Sequence, residues 1–322
     1  MSKTFALGID LGGTKIAAGV VASWGKLLSR VRMATPAAGV KRDVRAIFDA
    51  AHAAVAAARV SWQSVRAIGV GVPGARDPQT ETVWAPNLPG WKKVPLQRRL
   101  ERAFARPVFV EGDRNVQALA EAWLGSGRGA RNLVFLTVGT GIGAGIIADG
   151  RLLPGARGVA GAVGWLATES RWRAEFARVG CLEFSGAGPA VARAAAKALP
   201  AHPRSLIKTL AAKHGGKVTA EIVTAAARRG DPAARRVLEE AGTNLGRGVA
   251  SIVCLLNPQV VVLGGGLAGA GELILGPLRR AALQWGQPLA ARQVRIVRSR
   301  LGEDAGILGA ARYAFIKLED KS

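Results

Sequence analysis

Asp10 and the Gly12-Gly13-Thr14-Lys15 run behind it put a carboxylate, two glycines, a hydroxyl and an ammonium within six residues. They directly follow the apolar run Phe5-Ala6-Leu7-Gly8-Ile9. Such a set suits anion binding. Glycine lets backbone N–H groups approach a phosphate closely, and an acid beside a phosphate repels it unless a cation stands between them. Two more glycine turns follow apolar runs in the same way. Gly139-Thr140-Gly141-Ile142-Gly143-Ala144-Gly145 comes after residues 133–138, and Gly264-Gly265-Gly266 comes after Val260-Val261-Val262-Leu263. One turn of this kind is compatible with a ligand-free hairpin. Three, together with an acid and hydroxyls, point to a nucleotide and phosphoryl transfer.

Asp113 stands just beyond the strand-like Pro107-Val108-Phe109-Val110-Glu111. Its carboxylate could accept the proton of an attacking hydroxyl as a general base, or cap a helix beginning near Asn115. Strand ends of this kind are where α/β folds place their sites. Gly139-x-Gly141-x-x-Ala144 matches the dinucleotide fingerprint in form. That motif needs a following helix and an acid about 20 residues on. Here Gly145-Ile146-Ile147-Ala148 reads as strand, and no acid stands at that distance, so the match is accidental.

The elements that must hold these groups alternate strand and helix. Residues 4–10 and 15–21 read as a hairpin, 41–59 as a helix with Val44, Ile47, Phe48, Ala51 and Val55 on one face, and 67–74 as a strand ending in a Pro-Gly turn. Residues 84–91 form a rigid Pro-rich loop, and a helix follows from Asn115 to Gly125. The strand–turn–strand pattern recurs at 133–148, a repeat that suggests two similar α/β lobes facing a cleft. Residues 151–185 read as irregular and 187–255 as helical, with Asp231 an N-cap and Pro232 at the first helical position. A helix near 271–285, a strand at 294–297 and a final helix at 305–314 complete the chain.

Composition narrows the class. The chain has 322 residues, 49% hydrophobic and 21% charged, which fits a folded enzyme of about two domains and excludes wholesale disorder. The absence of a cleavable leader pattern, of a long apolar span and of all but two cysteines implies a cytoplasmic protein without a membrane segment. Cys254, within Ile252-Val253-Cys254-Leu255-Leu256, reads as a small buried hydrophobe, and Cys181 as a loop residue after Gly180. The net charge of +23 could attract a polyanion. Its arginines are scattered as pairs over helix-like segments without a basic tail, so no specific nucleic-acid partner is expected.

In this order, Gly8-Ile9-Asp10-Leu11-Gly12-Gly13-Thr14-Lys15, Asn87-Leu88-Pro89-Gly90-Trp91, Gly112-Asp113-Arg114-Asn115, Gly139-Thr140-Gly141-Ile142-Gly143, Gly180-Cys181-Leu182-Glu183 and Asn257-Pro258-Gln259 through Gly266 resemble the ROK family of sugar kinases and related repressors over nearly the whole chain. The resemblance implies an α/β actin/hexokinase-like (ribonuclease H-like) ATPase fold with two lobes around a cleft. One lobe would hold 1–115 and a C-terminal helix at about 303–322, the other 116–302. The family's repressors carry a DNA-binding segment before the first glycine motif, for which residues 1–7 leave no room, so the kinase branch is implied. The cofactors implied are ATP and Mg²⁺. Asp10 would serve the metal through the phosphates; Gly12, Gly13, Thr14, Lys15, Gly139, Thr140 and Gly141 would serve the phosphates; Gly264, Gly265 and Gly266 would serve the adenosine. Asp113 becomes the general base, and Gly74, Asn87, Gly112, Trp165 and Glu183 join it around a sugar-like substrate. A homodimer is the implied assembly.

Departures from the family pattern bear on the acceptor. Gly112 replaces the Asn that precedes the base, and Gly161-Ala162-Val163-Gly164-Trp165 stands where the family has Gly-Glu-x-Gly-His. The family's zinc motif is reduced to Gly180-Cys181, and His52, His202 and His214 lie elsewhere as surface groups, so no zinc is expected. Losing hydroxyl-reading groups implies a modified sugar, aminosugar or cyclitol in preference to plain glucose. Trp165 either packs against that substrate or fills the space of the missing groups. Two alternatives stay open: a nucleotide- or sugar-binding sensor with weakened catalysis, and a kinase that takes polyphosphate as donor.

Overall fold

A computed structural model describes residues 4–320. In chain order the first elements are β1 (Phe5–Leu11), β2 (Lys15–Ala22), β3 (Val31–Ala34), α1 (Val40–Ala58), β4 (Val65–Val72), β5 (Ala75–Arg76), β6 (Val83–Trp84), α2 (Leu96–Phe104), β7 (Val108–Gly112) and α3 (Asp113–Trp123). There follow β8 (Leu133–Val138), β9 (Ile142–Ala148), β10 (Arg151–Leu152), α4 (Phe176–Val179), α5 (Cys181–Gly186), α6 (Gly188–Ala198), α7 (Leu206–Lys213) and α8 (Ala220–Arg228). The chain then runs through α9 (Pro232–Leu256), β11 (Val260–Gly264), α10 (Glu272–Trp285), α11 (Pro288–Gln293), β12 (Arg295–Arg298) and α12 (Ala305–Glu319). It divides into two compact units, residues 1–131 with 145–160 and 300–322, and residues 132–144 with 161–299.

In the first unit a five-stranded sheet runs in the order β3-β2-β1-β4-β7. β1 and β2 form the antiparallel hairpin, while β1–β4 and β4–β7 are parallel, so the ends of β1, β4 and β7 fall together at one edge. Register sets Asp10 beside Gly71 and Gly71 beside Glu111. Apolar side chains of β1, β2, β4 and β7 pack with Ile47, Ala51 and Val55 of α1, and with Leu96 and Leu100 of α2, into one buried core. On α12, glycine governs the approach to the sheet. A Cβ at Gly8 would run into the carbonyl of Ile307, one at Gly69 into that of Ala310, and one at Gly309 into that of Val116 on α3. The helix backbone therefore lies directly on strand backbone. Trp91, fully buried, donates its indole N–H to Asp43 of α1 at 2.8 Å, which fastens the 84–91 loop to the core.

The second sheet runs β10-β9-β8-β11-β12, with β8, β11 and β12 parallel. Within the second unit α9 packs against α5, α6, α8 and α10. Its N-terminus is set as the sequence predicts, Asp231 accepting from Ala234 N–H with Pro232 in the first turn. Gly242 and Gly246 let α10 approach closely, since a Cβ at either would meet Pro277 or the Leu278 carbonyl.

Several expectations change. Cys254 is exposed, because successive helical residues turn by about 100° and Ile252 and Val253 take the inward direction. Cys181 is buried at the start of α5, its Sγ accepting from Thr168 N–H at 3.3 Å. The 151–185 stretch holds α4 and most of α5, both too short to show a period. β3, α2 and α11 have no counterpart in the sequence reading.

Candidate active site

Asp10, the penultimate residue of β1, is half-buried, with Asp113 as a close acidic neighbour at the start of α3. A Cβ at Gly71 would run into Val116 Cγ2 at 2.9 Å and would stand 3.6 Å from an Asp10 carboxylate oxygen and 3.8 Å from Asp113 Cα, so Gly71 lies between the two acids. Burial, and then the charge of Asp113, push the Asp10 carboxyl up to about 7, against a smaller opposing pull from Lys15. Burial also raises Asp113, opposed by the Arg114 guanidinium and by Arg114 N–H, which donates to Asp113 Oδ1 at 2.7 Å. Two neighbouring acids that burial keeps toward the protonated form are a place where a divalent cation gains most.

Around them the first turn is braced. Gly12 N–H donates to the Lys15 carbonyl, the Thr35 hydroxyl donates to the Gly12 carbonyl at 2.8 Å, and Thr35 N–H donates to the Thr14 carbonyl. Gly13 has open space where a side chain would be, and Thr14 is exposed. Lys15 turns elsewhere, its Nζ 2.6 Å from Glu303 Oε1, with Arg32 on the other oxygen of the same carboxylate. Gly74, at φ 133°, could not carry a side chain beneath the Trp84 carbonyl, and its own carbonyl lies 3.2 Å from where a Cβ at Gly112 would be. Asn87 is exposed in the loop after β6. In this unit the predicted Asp10, Gly74, Gly112 and Asp113 thus converge, whereas Lys15 is engaged with Glu303.

In the second unit a pocket of about 910 Å³ opens beside Gly139, Thr140 and Gly266. That volume lies in the range of small-molecule and cofactor sites. The three terminal glycines have separate reasons. Gly264 packs on the Phe135 ring, Gly265 takes φ 81° under the Val138 carbonyl, and Gly266 alone faces open space and the pocket. The first residues of α6 and α8, with Thr219 as N-cap of the latter, reach the pocket wall along with Lys217, Arg228 and Arg298. Helix N-termini and cations make an anion-friendly wall. Sequence reasoning missed them, although Gly188-Pro189 and the capping Thr219 are start signals legible in retrospect.

The turn at 139–141 is fixed from behind. Glu183 Oε2 accepts from Ile142 N–H at 2.8 Å, and the Gly139 carbonyl accepts from Gly188 N–H. A Cβ at Gly141 would press on the Glu183 carboxylate, whose pKa burial raises. Gly164 and Gly180 meet back to back, a Cβ at Gly180 colliding with the Gly164 carbonyl. Trp165 is 55% exposed, so it does not fill an internal space. Among the described residues no group of three or more His, Cys, Asp and Glu side chains is placed to hold a metal, and no helix is long and apolar enough to cross a membrane.

The sequence model of the ROK family matches residues 6–316. The chain is 35% identical to the glucokinase of Thermotoga maritima over 314 residues, 97% of each chain. It is similar in structure to a ROK hexokinase from Thermus thermophilus, with TM-score 0.80 and 39% identity over 98% of this chain and 100% of that one. A ROK family glucokinase from Streptomyces griseus, solved in complex with glucose and AMPPNP, gives TM-score 0.81 and 34% identity over 97% of this chain and 99% of that one.

Proposed function

The chain belongs to the ROK family, and as its function we propose ATP-dependent transfer of the γ-phosphoryl group to a hydroxyl of a sugar or sugar-like acceptor. Its fold is the actin/hexokinase-like ATPase fold, and it is a sugar phosphotransferase. One observation carries the site reading: Asp10 near the end of β1 and Asp113 just past the end of β7 lie at the same edge of one sheet, with Gly71 of the intervening β4 between them.

We assign Asp113 as general base. Burial holds its carboxyl above the usual aspartate range, nearer to working pH, which makes it a better proton acceptor for an alcohol. Arg114 N–H fixes one of its oxygens, which orients the carboxylate for the acceptor hydroxyl. Asp10 would hold the Mg²⁺ side of the site, with N–H groups of the 12–14 turn toward phosphate. Mg²⁺, when bound, would neutralise phosphate charge and relieve the mutual repulsion of the two acids. In the second unit the pocket at Gly139, Thr140 and Gly266 has the size and the cationic wall for the nucleotide, which favours ATP over polyphosphate as donor.

For the acceptor we propose a modified sugar, aminosugar or cyclitol in preference to glucose. Gly112 offers no amide to a sugar hydroxyl, and Gly161-Ala162-Val163-Gly164 offers no acid. Exposed Trp165 supplies an apolar face instead, and Glu183 is occupied in bracing the second turn. We propose no zinc, since the motif around Cys181 supplies neither a second cysteine nor a histidine to complete a tetrahedral set. A cytoplasmic homodimer is the proposed state, supported by exposed Leu255, Trp285 and Leu289 on mutually packed α9, α10 and α11.

The test is ATP consumption across a panel of sugars, aminosugars and cyclitols, with Asp113→Asn as control. Turnover of at least one acceptor, lost in the control, is expected. Glucose turned over as fast as every analogue would overturn the modified-acceptor reading, and binding without any turnover would favour a sensor.

A further inference from the structure

Beneath Asp113 lies a buried polar network with no part in the chemistry described so far. Glu111, only 6% exposed near the end of β7, accepts through one oxygen from Gly112 N–H at 2.8 Å and from Asn115 Nδ2 at 3.0 Å. Those two donors straddle residue 113. Gly112 is the N-cap of α3 yet has no side chain to cap it, so Glu111 braces the first turn in place of a capping residue. Glu111 is itself held by Tyr313 of α12, whose phenol donates to the carboxylate. Burial, and then the neighbouring Glu111 charge, keep that phenol protonated and therefore a donor.

The placement of Tyr313 is telling. It stands seven residues, or two helical turns, after Gly306, which lies against the Asp10 carboxylate. One face of α12 thus touches Asp10 directly and reaches the turn bearing Asp113 through Glu111. We propose that Glu111, anchored by Tyr313, is a positioning residue that aims the Asp113 carboxylate at the acceptor hydroxyl.

A carboxylate with three polar partners in a buried site costs free energy unless every partner is satisfied, and an apolar residue would fill the space more simply. Its value lies in direction. Hydrogen bonds to Gly112 N–H and Asn115 fix the φ/ψ entry into α3, and with it the direction of the first helical side chain. The network also borders a pocket of about 370 Å³, lined by Glu111 and Tyr313. A Phe at 313 would leave water room to replace the phenol, so the fold should survive that change.

This inference rests on the reading of Asp113 as base. Steady-state kinetics and melting are compared for Glu111→Ala, Glu111→Gln, Tyr313→Phe and Asp113→Asn. Glu111→Ala is expected to lower kcat by about 100-fold, the cost of roughly 1 Å of misplacement, with KM for ATP and acceptor little changed. Glu111→Gln keeps an oxygen for both donors and should recover most of the rate. Tyr313→Phe should lower kcat by about 3- to 10-fold, a fraction of the full misplacement penalty. The low-pH limb of the kcat profile should shift in the alanine variant. A wild-type kcat in Glu111→Ala overturns the inference, as does an equal fall in the alanine and glutamine variants that tracks lost melting temperature. If Glu111→Ala does not fold, Tyr313→Phe decides, and an unchanged kcat overturns it. Full activity in Asp113→Asn would instead overturn the base assignment itself.

Discussion

Gly306 of α12 faces the carboxylate of Asp10 so closely that a Cβ at 306 would stand well inside van der Waals contact distance of Oδ2 and Cγ. The contact is with the acid itself, not with the far end of a flexible chain. Gly306→Ala must therefore move Asp10 or the helix. Overpacking of this kind costs about 1–3 kcal/mol, so a melting temperature lower by several degrees is expected. The larger effect should be on catalysis: kcat is expected to fall by at least about tenfold, since small displacements of a positioned group are amplified in rate. Wild-type kinetics in this variant would show that Asp10 is not held where the chemistry needs it.

The raised pKa of Asp10 gives the metal-free protein a pH dependence of definite sign. In the folded chain the carboxyl titrates near 7, against 3.8 for an ordinary aspartate. The folded state therefore binds the proton more tightly than the unfolded state. Stability from this group is full below about pH 4 and drains away as pH rises to about 7, by at most about 4 kcal/mol. Asp10→Asn should consequently melt higher than the wild type at pH 8 and much as it does at pH 4, while losing activity. Adding Mg²⁺ to the wild type should raise its melting temperature more at pH 8 than at pH 5. Thermal melts across that range check both statements.

Adjacent glycines at 265 and 266 should behave differently. Gly265 adopts φ 81° and has the Val138 carbonyl where a Cβ would sit. Gly265→Ala is expected to destabilise by more than about 1 kcal/mol, beyond the usual glycine-to-alanine benefit. Gly266 has nothing within 4 Å and faces the pocket, so Gly266→Leu should fold normally. Its KM for ATP should rise by about tenfold through the loss of roughly 1.4 kcal/mol of nucleotide binding. Calorimetric titration with a non-hydrolysable ATP analogue separates the two.

Trp165 is more than half exposed, so Trp165→Ala should change stability by no more than about 0.5 kcal/mol. If the indole forms part of the acceptor site, kcat/KM for the preferred acceptor should drop by about tenfold, as for loss of a partly desolvated aromatic contact. The KM for ATP should stay the same. An acceptor kcat/KM equal to the wild type would remove Trp165 from that site.

What was legible in the sequence were features with local causes. The glycine turns, the strands before them, Asp10, Asp113 and the Asp231-Pro232 helix start all carry their signals within a few residues. Features set by long-range pairing were not legible. Lys15 meets Glu303, and Glu111 meets Tyr313, across some two to three hundred residues, and nothing near either residue announces its partner. Glu183 read as a hydroxyl ligand because its motif was visible, while its backbone partner Ile142 was not. α2 escaped because its charge-rich sequence buries only Leu96 and Leu100. Cys254 misled because an apolar run hides which way each helical residue turns.

The close seat of α12 on β1 and β4, made possible by Gly8 and Gly69, has a consequence for biosynthesis. A ribosome delivers those strands roughly 230 to 300 residues before the helix that covers them. One side of that sheet must stay unsealed until residues 305–319 have been made, available to chaperones or to wrong partners. Maturation of the acid pair therefore waits until α12 docks.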